Sequence, residues 1–348
     1  MKKDNLDEIK NELRFSICMP VYNGEKIVEP TIWSILNQSF KNFELIIVDD
    51  CSKDKSGEVI KKIKDKKIKY FRNKKNLGYS GNLERCRQKA KGDILYLMGQ
   101  DDIMADDTLF NTFLAFSSND DIGAVTRPYF WFDDDINKPV RIKRQLNPEK
   151  NETVTINDDP KKIVRMFETL DQLSGLAYRK KYMDLPFHKN IFPCHVYPFA
   201  SIFKKHPVVF LKDYNIAVRI STSQTRSLSS IYENAPIKTW KEMFDNVFYE
   251  KEFQEIKKYL IKNFVAVNFV GLVQLRNYAK FRYFLRCIYY LIKYRWQNIL
   301  NPCFWFFFLG CLFTPPFILI PLVDWWKNNI SAYFFRKIKF SYNSDRSN

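Results

Sequence analysis

Short apolar runs alternate with helically spaced apolar residues over the first 125 positions. The runs at 15–19, 43–48, 68–71 and 93–97 are compact and bounded by polar residues, which predicts strands. Between them, 26–38, 56–66 and 80–91 place apolar residues on one face of a helix. Strand and helix in strict alternation predict a parallel α/β sheet with right-handed crossovers. A further helix is expected at 106–117, helical patterning resumes at 160–172, and strands are expected at 174–178 and 208–211. Between 126 and 160 the pattern loosens around Pro128, Asp133, Asp134, Asp135, Pro139 and Pro148. That stretch predicts irregular or hairpin structure, suited to an acceptor-binding insertion.

The last third has a different pattern. Residues 231–300 read as helical and amphipathic, and 301–323 is a run of 23 residues without a charge. As one helix that run would measure about 34 Å, enough for a bilayer core of about 30 Å. Pro315, Pro316 and Pro321 interrupt it, however, and a proline inside a helix breaks or kinks it. Lys280, Arg282, Arg286, Lys293 and Arg295 precede it, and Lys327, Arg336, Lys337 and Lys339 follow. Positive charge on both flanks places both on the cytoplasmic side. The expectation is a re-entrant or monotopic insertion at 301–323, anchored by Trp325 and Trp326, with 276–296 on the membrane surface and 324–348 as a basic tail. A buried soluble helix is the bland alternative.

The chain has 348 residues, long enough for about two domains. With 46% hydrophobic residues, a wholly disordered chain is excluded, and 10 glycines exclude collagen. The net charge of +17 calls for anionic partners. From 257 onward there are 14 basic residues against two acids, so the charge concentrates around the apolar run. That argues for an anionic membrane surface and against nucleic acid. Seven scattered cysteines give no disulfide framework or zinc spacing. Residues 1–14 lack an apolar signal, and the amino-terminal part is expected to stay in the cytoplasm.

Ligands of open α/β sheets sit beyond the carboxyl ends of the strands. Three polar segments fall there: 20–25 with Pro20, Val21, Tyr22, Asn23 and Glu25; 49–54 with Asp49 and Asp50; and Gln100, Asp101 and Asp102. A dinucleotide site would need GxGxxG after the first strand, and only Gly24 is present. Two adjacent carboxylates at a strand end suit Mg²⁺ or Mn²⁺, which take carboxylate and phosphate oxygens. The alternative is a solvated turn before the next helix, where acids favour the helix start.

The runs PVYNGE, VDDCSKD, NKKNLGYSGN and GDILYLMGQDD, in that order and at those strand ends, resemble the inverting family 2 glycosyltransferases of the GT-A fold. The resemblance is strong over 14–125 and weaker to about 230. It implies a Rossmann-like, mixed but mainly parallel sheet flanked by helices over 15–230, divided near 125 into a nucleotide-binding and an acceptor half. It also implies that Asp50, beside Asp49, recognises the nucleobase, with Val21, Tyr22 and Asn23 lining the same pocket. By the same resemblance Asp101 faces the donor ribose, Asp102 binds the metal, and Asn76 and Gly78, with Arg72, approach the nucleotide.

In many relatives a Glu-Asp pair opens a helix before a basic pair and a new strand. Counting back from Lys204 and Lys205, that position holds Cys194 and His195. His195 is a candidate general base or a structural residue, with Asp171, Asp184 and Asp213 in reserve. Arg219, Gln224 and Arg226 lie where relatives place a QxxRW-type element, and arginine forks suit a diphosphate or a lipid-linked pyrophosphate. Surface charge is the alternative. The expected function is transfer of a sugar from a nucleotide sugar to a lipid-linked glycan acceptor at the inner face of the cell membrane. The rival is a membrane-attached binding protein with a degenerate, inactive domain.

Overall fold

The computed structural model describes residues 13–343, apart from 191, 223–225, 227, 228, 336 and 337. The chain opens with β1 (Phe15–Val21), α1 (Val28–Leu36), β2 (Phe43–Asp49), α2 (Ser56–Lys62), β3 (Ile68–Arg72), α3 (Gly78–Lys89) and β4 (Ile94–Leu97). These four strands are parallel, in the order β3-β2-β1-β4. Each expected strand and helix of the first hundred residues is present, with boundaries shifted by a few positions. β2 is buried along its whole length and β1 nearly so, because helices cover both faces of the sheet. Phe15, Ile17 and Met19 of β1 face α1 and α4 (Thr108–Ser117), and Cys18 faces α3.

The sheet continues beyond β4 through β10 (Ala177–Arg179), β6 (Ala124–Thr126), β11 (Val208–Phe210) and β9 (Glu152–Val154). Because β10 runs antiparallel to β4 and β6, the sheet is mixed. A smaller sheet, β5-β12-β7-β8, joins β5 (Ile103–Met104), β12 (Ile216–Arg219) and the hairpin of β7 (Tyr129–Phe132) with β8 (Arg141–Lys143). This hairpin is the loosened region of the sequence. The helix expected over 160–172 divides into α5 (Pro160–Phe167) and a 3₁₀ turn over Glu168–Asp171. The strand expected at 174–178 starts only at Ala177, because the chain turns at Gly175, whose φ of +89° suits glycine.

The carboxyl-terminal helices are built onto the larger core. Phe244 of α7 (Pro236–Val247), Leu260 of α8 (Gln254–Asn263), Leu272 of α9 (Gly271–Tyr278) and Phe284 of α10 (Phe281–Tyr294) share a cluster with Phe167 and with Phe199 of α6 (Val196–Phe203). The uncharged run forms two helices, α11 (Pro302–Phe313) and α12 (Pro316–Trp326), of about 18 and 16 Å. Pro315 separates them, and among the described residues no helix is long and apolar enough to cross a membrane. After α13 (Ala332–Phe335) the chain returns to the small sheet, where Ile338, Phe340 and Tyr342 cover Phe130 and Phe132. The tail is thus docked on the sheet, and Lys327, expected as a free basic flank, is buried and paired with Asp324 at 2.6 Å.

Candidate functional site

Asp49 and Asp50 end β2 and are both buried. The Asp49 carboxylate accepts hydrogen bonds from the Ser52 amide, the Tyr70 hydroxyl and Arg72 Nη1 at 2.8–2.9 Å. Asp49 and Arg72 therefore hold the sheet edge together. In Asp50, two donors, Asn73 Nδ2 at 2.9 Å and the Leu77 amide at 2.8 Å, converge on Oδ1. Asn73 also donates to Asn82, whose own amide nitrogen donates to the carbonyls of Val48 and Val21. Asn82 thus ties the ends of β1 and β2 to α3 and holds Asn73 against Asp50. Both asparagines bound the run NKKNLGYSGN, but neither was singled out from sequence. A polar residue on the buried face of α3 was the available signal for Asn82.

The loop after β1 is sewn onto the loop after β2. Asn23, in the left-handed region at φ +51°, receives the Lys53 amide on its side chain and donates its own amide to Ser52. Glu25 receives the Lys55 amide and donates its amide to Asp54. Gln100 makes a reciprocal pair with the Tyr22 backbone, accepting at 2.9 Å and donating at 3.2 Å. Asn23, Glu25 and Gln100 hold these loops together, with their side chains engaged by protein. Val21 is buried in the core, Pro20 and Tyr22 are half-buried, and Asn76 receives the Gly78 amide at 2.9 Å in the turn that opens α3.

Asp101 and Asp102 follow β4 and precede β5. Asp102 is 2% exposed. Its Oδ2 accepts from Ser174 Oγ and from Gln172 Nε2 at 3.3 Å, and its Oδ1 from the Arg219 amide at 3.0 Å. Asp101 is half-buried and accepts from the Thr222 hydroxyl. Burial raises both carboxyls above the usual carboxylate range, and the neighbouring Asp101 charge raises Asp102 further. Either protons or a cation would relieve the pair, and the Arg219 charge already favours the ionised form of Asp101. Among the described residues no group of three or more His, Cys, Asp or Glu is placed to hold a metal. Two carboxylates suit an ion whose remaining ligands are water and diphosphate oxygens. Asp102, with protein donors on both oxygens, is the less available ligand.

His195 lies at the start of α6 and is 6% exposed. Its Nε2 faces the Leu170 carbonyl at 2.8 Å, so Nε2 carries the hydrogen and Nδ1 is the acceptor. Nδ1 is buried without a partner among the described residues. Burial pushes the imidazole down to about 4, well below the ordinary histidine value. Of the reserve carboxylates, Asp171 is bound by Tyr129 and by Lys143 at 3.2 Å, which with Arg141 holds it low against its burial. Asp184 pairs with Ser201 and Lys205 on the surface, each at 2.7 Å. Asp213 lines a cavity against α12 and α13, at the opposite end of β12 from Arg219.

Arg219 meets Asp102 through its backbone, while its guanidinium stacks 4.6 Å over Phe132 and lowers the Asp101 carboxyl. Arg226 stacks on Tyr278 of α9 at 5.7 Å, directed toward the carboxyl-terminal helices. Gln224 lies outside the described residues. Lys74 and Lys75 are exposed and, with Asn73, Leu77 and Arg85, line an open cleft of about 350 Å³ beside the Asp50 loop.

A family model described as Glycosyl transferase family 2 matches residues 16–183. That stretch is a family 2 glycosyltransferase domain. Over 96 residues it is 45% identical to an uncharacterized glycosyltransferase of Haemophilus influenzae, covering 27% of this chain and 38% of that one. Over 92 residues it is 34% identical to the GalNAc(5)-diNAcBac-PP-undecaprenol beta-1,3-glucosyltransferase of Campylobacter jejuni, covering 26% and 30%. The chain therefore spans well under two thirds of these relatives. The structure of S. aureus TarS 1–349 in complex with UDP-GlcNAc superposes with a TM-score of 0.63 at 16% identity, covering 94% of this chain and 90% of that one. The mixed α/β architecture is the GT-A fold, and the helical carboxyl-terminal region is part of the shared extent. The family 2 domain contains Asp50, Asp101, Asp102 and Asp171, whereas His195, Arg219 and Arg226 lie beyond the matched residues.

Proposed function

We propose that the chain is an inverting glycosyltransferase moving a sugar from a nucleotide-sugar donor to a lipid-linked or polymeric glycan acceptor in cell-surface polysaccharide synthesis. The observation that carries this reading is the set of carboxylates at the carboxyl ends of β2 and β4. A buried Asp50, both of whose protein donors meet one oxygen, lies at the same carboxyl end of the sheet as the adjacent Asp101 and Asp102 carboxyls. Asp50 Oδ2 is left to meet a nucleobase N–H. The names of the relatives, a diphospho-undecaprenol glucosyltransferase and a UDP-GlcNAc-bound enzyme, support the donor and acceptor classes. An inactive binding domain gains no support from a site that keeps these groups.

Asp101 is the carboxylate we assign to Mg²⁺ or Mn²⁺, because Asp102 is enclosed by Ser174, Gln172 and Arg219. This reverses the assignment drawn from the resemblance. A bound ion would neutralise the diphosphate of the donor. Arg219 adds a second positive charge beside the pair. We assign the base to His195, neutral at physiological pH. Its Nδ1, enclosed in this structure, has to be uncovered by the incoming acceptor before it takes the proton of the acceptor hydroxyl, whose oxygen attacks the anomeric carbon in line with the departing diphosphate. The C–O bond to the diphosphate breaks as the new glycosidic bond forms on the opposite face.

The cytoplasmic membrane face is the proposed location. Phe306, Phe313 and Phe317 of α11 and α12 are 74–77% exposed, beside Leu300, Leu322, Trp325 and Trp326. Arg282 and Arg286 are exposed on α10, whose opposite face is in the core. Apolar and basic groups together suit monotopic insertion into an anionic leaflet.

Thermal unfolding of the full chain with a panel of nucleotide sugars and Mn²⁺ tests the donor class. Stabilisation by one nucleotide family, lost in Asp50→Ala, is expected. Equal stabilisation of the Asp50→Ala protein places the nucleobase elsewhere.

A further inference from the structure

Residues 168–174 touch both halves of the proposed reaction. The Leu170 carbonyl receives His195 Nε2 at 2.8 Å, and Gln172 and Ser174 donate to Asp102 Oδ2. The segment is a single 3₁₀ turn followed by irregular chain, which has little rigidity of its own. It needs an external support.

Arg127, between β6 and β7, supplies one. It is 1% exposed and among the largest fully buried side chains. Its Nη1 donates to the Thr169 carbonyl at 3.2 Å and its Nη2 to the Gln172 carbonyl at 2.8 Å. The guanidinium also lies 4.8 Å over the Tyr129 ring, whose hydroxyl donates to Asp171. Thr126 and Thr169 share a hydroxyl hydrogen bond of 3.0 Å alongside. Burying a guanidinium against carbonyls carries a larger desolvation cost than an apolar residue would at this position. Space for it depends on Gly175, where a Cβ would come within 2.7 Å of Arg127 Nε.

We propose that Arg127 is a positioning residue: its fork spans the Thr169 and Gln172 carbonyls and so sets Leu170 against His195 and Gln172 against Asp102. The proposal rests on the reading of His195 as the base. A lysine keeps the charge but cannot reach two carbonyls three residues apart in one plane. A methionine keeps the bulk and removes both charge and fork.

The test compares Arg127→Lys and Arg127→Met in the full chain. Both should lower kcat by about 10²-fold, the scale of a misplaced catalytic group, with the donor KM within about twofold of wild type. The charged groups facing His195 are Arg127, which lowers its pKa, and Asp171, which raises it. Losing the Arg127 charge therefore moves the acid limb of the kcat profile upward in Arg127→Met, while Arg127→Lys leaves it in place. Amide exchange at 169–174 should rise in both variants, with β2 unchanged as a control for folding. A kcat for Arg127→Lys within about twofold of wild type overturns the proposal, and so does unaltered exchange at 169–174 in either variant. Full turnover in His195→Ala overturns the reading beneath it. That failure is recognisable because exchange at 169–174 would still rise in the Arg127 variants.

Discussion

The Asp49 carboxylate holds Ser52, Tyr70 and Arg72, while both donors to Asp50 meet its Oδ1. Asp49→Ala should therefore cost about 1–3 kcal/mol of stability through its orphaned donors, read by chemical denaturation. Asp50→Ala should instead weaken donor binding at least tenfold, read by titration calorimetry. The Asp101–Asp102 pair sets a pH dependence of its own. Both carboxyls titrate above the usual range, so between that range and their raised values the folded chain holds more protons than the unfolded chain. Ligand-free stability should then fall as pH rises through that window. Mn²⁺ should raise Tm more at pH 8 than at pH 5, and Asp102→Asn should flatten the difference. A pH-independent Mn²⁺ effect contradicts this. Sequence located Asp50, Asp101 and Asp102 because they end apolar runs. It could not show which oxygens were taken, since Ser174, Gln172 and the Arg219 amide arrive from 70 to 117 positions away.

At the scale of elements, periodicity identified β1 to β4 and α1 to α4 because each crossover unit carries its own pattern, whereas the short β5 and β6 were not predicted. It erred where tertiary contacts set the ends. The 160–172 helix tightens after Phe167 where Arg127 and His195 claim the carbonyls of the next turn. The basic tail was read by its charge, although Ile338, Phe340 and Tyr342 alternate as an apolar face against the small sheet. Phe340 meets Phe130 edge to face at 5.1 Å. Phe340→Ala should cost about 2 kcal/mol, below the cost at a fully buried site, with a matching fall in denaturation midpoint. For α11 and α12, Phe313→Ser with Phe317→Ser should reduce sedimentation with anionic vesicles by severalfold while leaving Tm unchanged. Vesicle binding equal to wild type contradicts the membrane assignment.

Over the whole molecule, one continuous core runs from the face of the parallel sheet covered by α3 into the carboxyl-terminal helices. The parallel strands and the apolar helices are therefore parts of one packed body, and residues 338–342 close it by returning to β5, β7 and β12. The Asp106 amide donates to the Ser341 carbonyl at 3.1 Å, four residues after Asp102. Charge follows the same plan, with about +12 of the +17 carried from residue 257 onward, on the side proposed to meet the membrane. The sequence displayed that asymmetry, but the docking of the tail depends on contacts with strands more than a hundred residues earlier. The central claim is sugar transfer from a nucleotide donor at the Asp50 and Asp101 site. Its most direct measurement is the rate of nucleoside diphosphate release from the stabilising nucleotide sugar, with membrane-extracted lipid-linked acceptor, for wild type, Asp50→Ala and Asp101→Ala. The account predicts acceptor-dependent release by wild type and a fall of at least 10²-fold in Asp101→Ala, the scale of losing a charge-stabilising group. Asp50→Ala should show a raised donor KM. Release at wild-type rate by Asp101→Ala, or no release by wild type with any acceptor fraction, would contradict it.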